Sequence, residues 1–366
     1  MKNILIAIRS IFKKGRHNVM KIVSLGIGLA VGLVLIAKVY FEQSYDDFYP
    51  DRDRVYQVWA KYQQNGGELK DYPQTSGGIA PTMQQQIPEI ETVTRYTSFG
   101  DWTFTMTDTK MKYSGRCIIA DSCFFDILPR PMLIGNAKEV LSTPMYVLIS
   151  SRIAKNIGGD VIGKNFTVDN SPGRTMTIGG VFEEVPENSH SRYDVIVSMA
   201  SAGRFMWEGS PTNMLGNDRY ISYVKLHKGV NPLALEEQVR TFVNSYFPPE
   251  EQQKVGLSID FSFHKLDNLH KELPQVKRMT WILSLLAFAL IFTAVMNYIL
   301  IVISSIVNRS KEVAVHKCYG ASENNIHGMM FGEALVHIVL SLILALLLIL
   351  AFRGTVEELL ATSLDS

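Results

Sequence analysis

Residues 281–307 read WILSLLAFALIFTAVMNYILIVISSIV, 27 positions without a single charge. At about 1.5 Å per residue, a helix of this length covers roughly 40 Å, more than the roughly 30 Å hydrocarbon core of a bilayer. The stretch therefore reads as a transmembrane helix and sets the class of the whole chain. Trp281 and Tyr298 suit interfacial or inter-helix contacts, and Asn297 reads as a hydrogen bond to a neighbouring helix or a packing determinant. Residues 22–37, IVSLGIGLAVGLVLIA, form a second run between Lys21 and Lys38, whose side chains snorkel to the headgroups and extend the span to 19–41. A cleaved signal peptide is the alternative, but the run continues as KVYFE with no small-x-small cleavage site. Residues 334–352, ALVHIVLSLILALLLILAF, follow Glu333 and hold His337. A soluble helix is rarely apolar all round for so long. Glu333 and His337 lie four apart on one face, as a mutual hydrogen bond or as two interfacial polar side chains.

Bulk composition hides this pattern. The 366 residues are 47% hydrophobic and 19% charged with a net charge of +1. Residues 1–41 carry seven Lys/Arg and no acid, whereas 42–280 carry 25 Lys/Arg against 29 Asp/Glu. An acidic domain of that kind has no reason to seek nucleic acid. Six cations precede residue 22, the 308–328 loop holds Arg309, Lys311 and Lys317, and the 353–366 tail holds Arg353 beside Glu357, Glu358 and Asp365. The positive-inside rule then places the N-terminus and that loop in the cytoplasm, and 42–280 with the tail outside. The expected order is a cytoplasmic amphipathic helix at 1–18, with Ile4, Leu5, Ile8, Ile11 and Phe12 on one face, and spans at 19–41, 281–307 and 329–353. The large external domain is 42–280, the cytoplasmic loop 308–328 and the external tail 354–366.

Residues 42–280 are long enough for their own core. Strand patterns fall at 54–62, 91–98, 112–120, 146–150, 174–182, 192–198 and 219–227, and helical ones at 79–86, 151–157 and 231–246. In the last, Asn231-Pro232 opens the helix and Leu233, Leu235, Val239, Phe242 and Val243 form its apolar stripe. The mixture predicts an α+β domain, so the chain reads as an α+β membrane protein with three transmembrane helices. Cys117 and Cys123 form either a disulfide or two small buried apolar side chains. Gly158–Asn165 nearly spells a phosphate-binding loop, but Asn165 stands where Ser or Thr is needed, and Phe166-Thr167-Val168 reads as strand where a helix should open. It is a turn. No H-E-x-x-H, G-x-S-x-G or C-x-x-C occurs, and His264 and His270 read as solvated side chains around a loop. No catalytic residue, cofactor or metal is expected.

The loop after residue 307 reads Asn308-Arg309-Ser310-Lys311-Glu312-Val313-Ala314-Val315-His316-Lys317-Cys318-Tyr319-Gly320-Ala321-Ser322. Its interleaved charges exclude a span, and Gly320 followed by Ala321-Ser322 reads as a helix stop and a new N-cap. This stretch resembles the R-x-x-E-I-G-I-R-K-A-L-G-A-S signature of MacB/FtsX-type ABC transporter permeases. Arg309, Glu312, Lys317, Gly320, Ala321 and Ser322 match, and Ala314, His316 and Tyr319 depart from it. Tyr45-Asp46-Asp47-Phe48-Tyr49 through Arg54-Val55-Tyr56, Val147–Ser150, Ile162-Gly163-Lys164 and Gly180-Val181-Phe182 look like the family's MacB-like periplasmic core, and Pro186-Glu187-Asn188-Ser189-His190 like a Bacteroidetes variant.

The resemblance implies a non-catalytic permease subunit in the bacterial inner membrane. Its 308–328 segment would be the coupling surface for a separate ATPase, with Arg309, Lys311, Glu312, Lys317, Gly320, Ala321 and Ser322 as interface residues. Expected partners are that ATPase, a second permease copy or half, lipid, and a periplasmic or outer-membrane protein. Efflux or mechanotransmission of peptide, lipoprotein or antibiotic-type substrates is the implied role. A receptor, or an FtsX-like regulator of external cell-wall hydrolases, is the alternative. The family has four spans, so the chain is also expected to be truncated after the third, leaving the amphiphilic tail unburied and small residues such as Ala294 and Gly332 without packing partners.

Overall fold

A computed structural model describes residues 18–169, 171–308, 318 and 323–360. The expected amphipathic helix at 1–18 and the loop residues 309–317 and 319–322 lie outside the described residues. The chain forms two compact units, Tyr45–His270 and a helical unit made of the segments on either side.

The strands of the first unit are β1 (Val55–Gln64), β2 (Lys70–Tyr72), β3 (Ile90–Met106), β4 (Lys112–Ala120), β5 (Met132–Ile134), β6 (Tyr146–Ser150), β7 (Asn165–Val168), β8 (Ser171–Phe182), β9 (Val195–Ser198), β10 (Ile221–Leu226) and β11 (Leu257–Lys265). They make one sheet in the order β11-β1-β10-β3-β4-β9-β6-β8-β5, with β2 on β1 and β7 bridging β3 and β8. Pairing is antiparallel except at β4–β9 and β6–β8. Successive side chains on a strand point to opposite faces. Cys117 and Ile119 therefore enter one core, with Val147, Ile149, Val195 and Val197, while Ile118 and Ala120 enter another, with Leu148 and Ile196. Strands buried on both faces need unbroken apolar runs, and the sequence supplies them at 117–120, 147–149 and 195–197. Each fully buried Ile or Val contributes about 1.5–3 kcal/mol.

Helix α1 (Asn18–Gln43) belongs to the other unit, and the helices of the Tyr45–His270 unit are short. They run α2 (Ile79–Gln86), α3 (Phe124–Ile127), α4 (Ala137–Ser142), α5 (Ser151–Ile157), α6 (Ala202–Phe205), α7 (Glu236–Tyr246) and α8 (Pro249–Val255). A third core joins α2 and α7 to β1, β3, β10 and β11 through Ile79, Met83, Val239 and Phe242. The 231–246 helix divides: Pro232–Leu235 is a 3-10 turn capped by Asn231, whose side chain accepts from the Leu233 amide at 3.1 Å. Leu233, assigned to the apolar stripe from sequence, is 71% exposed on that tighter turn. Strand β11 carries little alternation in its last residues, and the sequence pattern did not reveal it.

Among the described residues, the helical unit has three helices long and apolar enough to cross a membrane: α1, the Pro274–Ser304 part of α9 (Pro274–Asn308), and the Met330–Ala351 part of α10 (Glu323–Ala351). A short helix, α11 (Arg353–Leu360), follows, with an Arg353–Glu357 ion pair at 2.7 Å one turn apart. Helix α9 begins at Pro274, ahead of the apolar run, because proline is tolerated at a helix start and Lys277 and Arg278 are good helix formers. Small residues on α1 set the packing. A Cβ on Gly28 would lie 2.3 Å from the Ala294 Cβ of α9, and one on Gly32 2.5 Å from Ile291. On the α10 side, a Cβ on Gly26 would meet Leu344 at 2.9 Å, and Ser341 Oγ donates to the Ile22 carbonyl at 3.1 Å. Close backbone approach through glycine is how membrane helices associate when lipid removes the hydrophobic incentive. Ala294 is thus partnered, contrary to the expectation from sequence, whereas Gly332 faces open space. Tyr298 Oη lies 3.4 Å from His337 Nδ1, and His337 and Glu333 are both buried among the helices. Trp281 and Asn297 are exposed, so Asn297 is not packed between these helices.

Gly28→Val should lower stability by about 1–3 kcal/mol, because the added methyls have no space against α9. Gly332→Val should leave it near wild type. Thermal unfolding of the detergent-solubilised chain distinguishes the two.

Candidate functional site

Sequence placed Tyr45–Tyr49 and Pro186–His190 in separate stretches. The fold brings them together. Asp46, with φ 58°, sits in the left-handed region that Asp tolerates better than most residues. Its amide donates to the Asn188 carbonyl at 2.9 Å. Its carboxylate is fully buried, accepting from Ser189 Oγ at 2.7 Å and pairing with His190 Nδ1. On the other ring edge, His190 Nε2 lies 2.5 Å from the Tyr223 hydroxyl of β10. The pattern is self-consistent with Nδ1–H donating to the carboxylate and Tyr223 donating to Nε2. Tyr49 shares a 2.6 Å hydrogen bond with Ser191 Oγ, and Arg130 donates to the Ser191 carbonyl.

The same leading segment is fixed again further on. Asp51 pairs with Lys225 at 2.5 Å and with Arg54 at 3.1 Å, while Arg54 also holds Glu91 and donates to the Leu226 carbonyl at 3.0 Å. Hydrogen bonds from Lys225 and Arg54 hold the Asp51 carboxyl below its ordinary range. At the two ends of the unit, Tyr45 stacks on His270 with ring centroids 3.6 Å apart.

An Asp–His–hydroxyl line invites a catalytic reading. Chemistry argues otherwise here. Burial pushes the Tyr223 phenol well above its usual range, with Tyr193 and Asp46 adding to it, so the hydroxyl is a poor nucleophile. It is also wholly enclosed, with no surface to meet a substrate. The arrangement is a lock: it holds the residues that follow α1 in the middle of the domain's core, against Tyr96, Phe124 and Leu266.

Comparison with known proteins bears on what the lock serves. The model of the MacB-like periplasmic core domain matches residues 20–242, and that of the FtsX-like permease C-terminal region matches 284–366. The chain belongs to the MacB/FtsX-type ABC transporter permeases. Among solved structures, this permease is similar to a domain assigned to a permease from Porphyromonas gingivalis, at 33% identity and TM-score 0.54, over 59% of this chain and 91% of that one. Weaker likenesses are to the periplasmic region of MacB from Actinobacillus actinomycetemcomitans (14%, TM-score 0.39, 56% and 87% covered) and the extracellular domain of the ABC-type transporter YknZ from Gram-positive bacteria (11%, TM-score 0.39, 56% and 98% covered). A search of curated proteins returned no match.

The residues singled out for the permease's coupling surface, Arg309, Lys311, Glu312, Lys317, Gly320, Ala321 and Ser322, lie outside the described residues. Gly158–Asn165 is the expected turn between α5 and β7, with Gly158 and Gly163 at φ 74° and 77°. Cys117 and Cys123 are free thiols, Cys117 buried in β4 and Cys123 with its Sγ 3.2 Å from the Val93 carbonyl. His264 and His270, read from sequence as solvated, are half-buried and engaged in stacking. His264 lies on β11 and stacks on Trp59 at 4.2 Å, and His270 stacks on Tyr45, because flat imidazoles cover aromatic faces that water would otherwise meet. The Asp46–His190 lock had no spacing signal, since 144 residues separate the pair. Its only trace was polar Asp, Ser and His set among aromatic residues.

Asp46→Asn keeps the shape but removes the charge that His190 and Ser189 surround. His190→Ala leaves the buried carboxylate with one fewer partner and should cost more, about 3–5 kcal/mol. Urea denaturation followed by tyrosine fluorescence should rank wild type above Asp46→Asn and that variant above His190→Ala.

Proposed function

We propose that this permease subunit transmits movement: a separate cytoplasmic ATPase closes on ATP, the 308–328 loop carries the displacement into the helices, and the external domain follows. The observation that carries this reading is the lock on Asp46. A helix can move a domain only if the residues joining them do not yield. Here the first residues after α1 are held by buried, charge-assisted hydrogen bonds and not by a loose linker. The glycine contacts of α1 with α9 and α10 support concerted motion of the three helices. Efflux or mechanotransmission of a peptide, lipoprotein or antibiotic-type substrate is the role the family suggests, with the chemistry of ATP hydrolysis on the partner.

In this reading the chain lies in a bacterial inner membrane with its N-terminus and the 308–328 loop in the cytoplasm and the Tyr45–His270 unit outside, as the distribution of Lys and Arg favours. Alkaline phosphatase fused after Gly216 should be active and fused after Ser310 inactive. The reverse pattern defeats the topology.

Coupling is tested separately. Exchanging charge at two loop positions, Glu312→Lys with Lys317→Glu, should weaken capture of the ATPase in detergent while leaving membrane insertion intact. Unchanged capture would remove the loop from the interface.

A further inference from the structure

The wall between β4, α5 and β9 holds a feature that neither the lock nor the ATPase contact uses. A cavity of about 170 Å³ is lined by Arg116, Arg130, Arg152 and Arg192, with Glu184 and Asp194 as its two carboxylates. One water needs roughly 10–15 Å³ of such space, so the cavity admits a small polar ligand. The acids are committed to one arginine: Arg152 donates to Glu184 at 3.2 Å and to Asp194 at 2.5 Å. Asp194 further accepts from the Arg116 backbone amide at 2.9 Å and from Ser150 Oγ at 3.4 Å. Among the described residues, no carboxylate lies within ion-pair distance of Arg116, Arg130 or Arg192. Four arginines against two carboxylates leave the cavity at +2.

Arg130 is the unusual member. It is 5% exposed, and its Nε is buried without a hydrogen-bond partner. The rings of Phe124, Phe125, Phe182 and Tyr193 surround the guanidinium at 5.2–6.0 Å, which offsets part of the cost of burying a cation but supplies no counter-charge. A buried charge is ordinarily paired.

We propose that this cavity binds a compact phosphoryl dianion, either inorganic phosphate or a phosphate monoester headgroup. The charge matches, and guanidinium forks recognise phosphate oxygens in pairs, which a single carboxylate would use less fully. Occupancy also reaches the lock. Arg130 donates to the Ser191 carbonyl and lies 3.4 Å from Ser191 Oγ, which in turn holds Tyr49 at 2.6 Å. A bound anion draws on the same arginine that steadies the leading segment, so ligand binding stiffens the point where the first helix joins the domain. The site stands independently of the ATPase coupling described above, and capture of the ATPase is no part of its test.

The test is isothermal titration of the full chain in phosphatidylcholine nanodiscs, in buffer free of phosphate and sulfate, with inorganic phosphate and with glycerol 3-phosphate. Arg116 and Arg192 are exposed and lack ion-pair partners among the described residues, so Arg116→Gln and Arg192→Gln should fold normally, checked by unchanged melting without ligand. Saturable binding to the wild type, weakened about tenfold or more by each substitution, is the expected result. A second arm uses nanodiscs containing phosphatidic acid. Loss of the phosphate signal there assigns the site to a lipid headgroup, and its persistence assigns it to a free phosphate. No saturable binding of either probe up to about 10 mM, or binding indifferent to both substitutions, overturns the proposal.

Discussion

The structure of the Tyr45–His270 unit depends on a carboxylate buried away from water. An ionised group moved from water into a protein interior costs several kcal/mol unless neighbours replace its hydration. The Asp46 carboxylate obtains that replacement from Ser189 and His190, and its amide donates to the Asn188 carbonyl, all on one segment far along the chain. The arrangement is therefore conditional. The leading segment can sit in the core only when the segment carrying residues 188–191 is already folded against β10, and neither piece is stable in place without the other. Tyr223 closes the chain of hydrogen bonds on an interior strand of the sheet, between β1 and β3. A local tether would fix only its own neighbourhood, whereas this one ties residues 46–49 to an interior strand of the sheet.

Two-faced burial of β4, β6 and β9 stiffens the sheet on the other side of β3 from the lock. Their side chains enter two separate cores from one strand, so displacing any of them disrupts packing on both sides of the sheet. Edge strands such as β2 and β5 have only exposed or half-buried residues and contribute little of this stiffness. The bulge where β3 pairs with β4, at Gly100 with φ 75°, lets the long β3 turn from one partner set to another without leaving the sheet.

Legibility in the sequence followed the strength of the physical signal. The apolar helices were plain because their length is dictated by the bilayer, and the central strands because double burial demands unbroken apolar runs. Strand β11 and the short helices α4, α6 and α8 were not seen, since their residues are held by tertiary contacts that override weak local preference. Leu233 was misplaced because a 3-10 turn rotates side chains differently from an α-helix. The glycine face of α1 could have been read from Gly26, Gly28 and Gly32, yet only the structure tells which neighbour each glycine admits. The lock lay beyond any local reading: Asp46 and His190 meet by topology, and the stacking of His264 and His270 on aromatic rings likewise depends on strands and ends that pair late in the chain.

The stack of Tyr45 on His270 makes the two boundaries of the Tyr45–His270 unit nearly coincide in space. A globular unit whose ends meet can be inserted into a host chain without forcing the host's flanking segments apart. From the helices' side, the 226 residues between them amount to a single closed insertion with a narrow footprint. Exchange of the whole unit for another of equal footprint leaves the spacing of the membrane helices unaltered. The fold is thus suited to varying this unit while the helices that flank it in the chain stay constant.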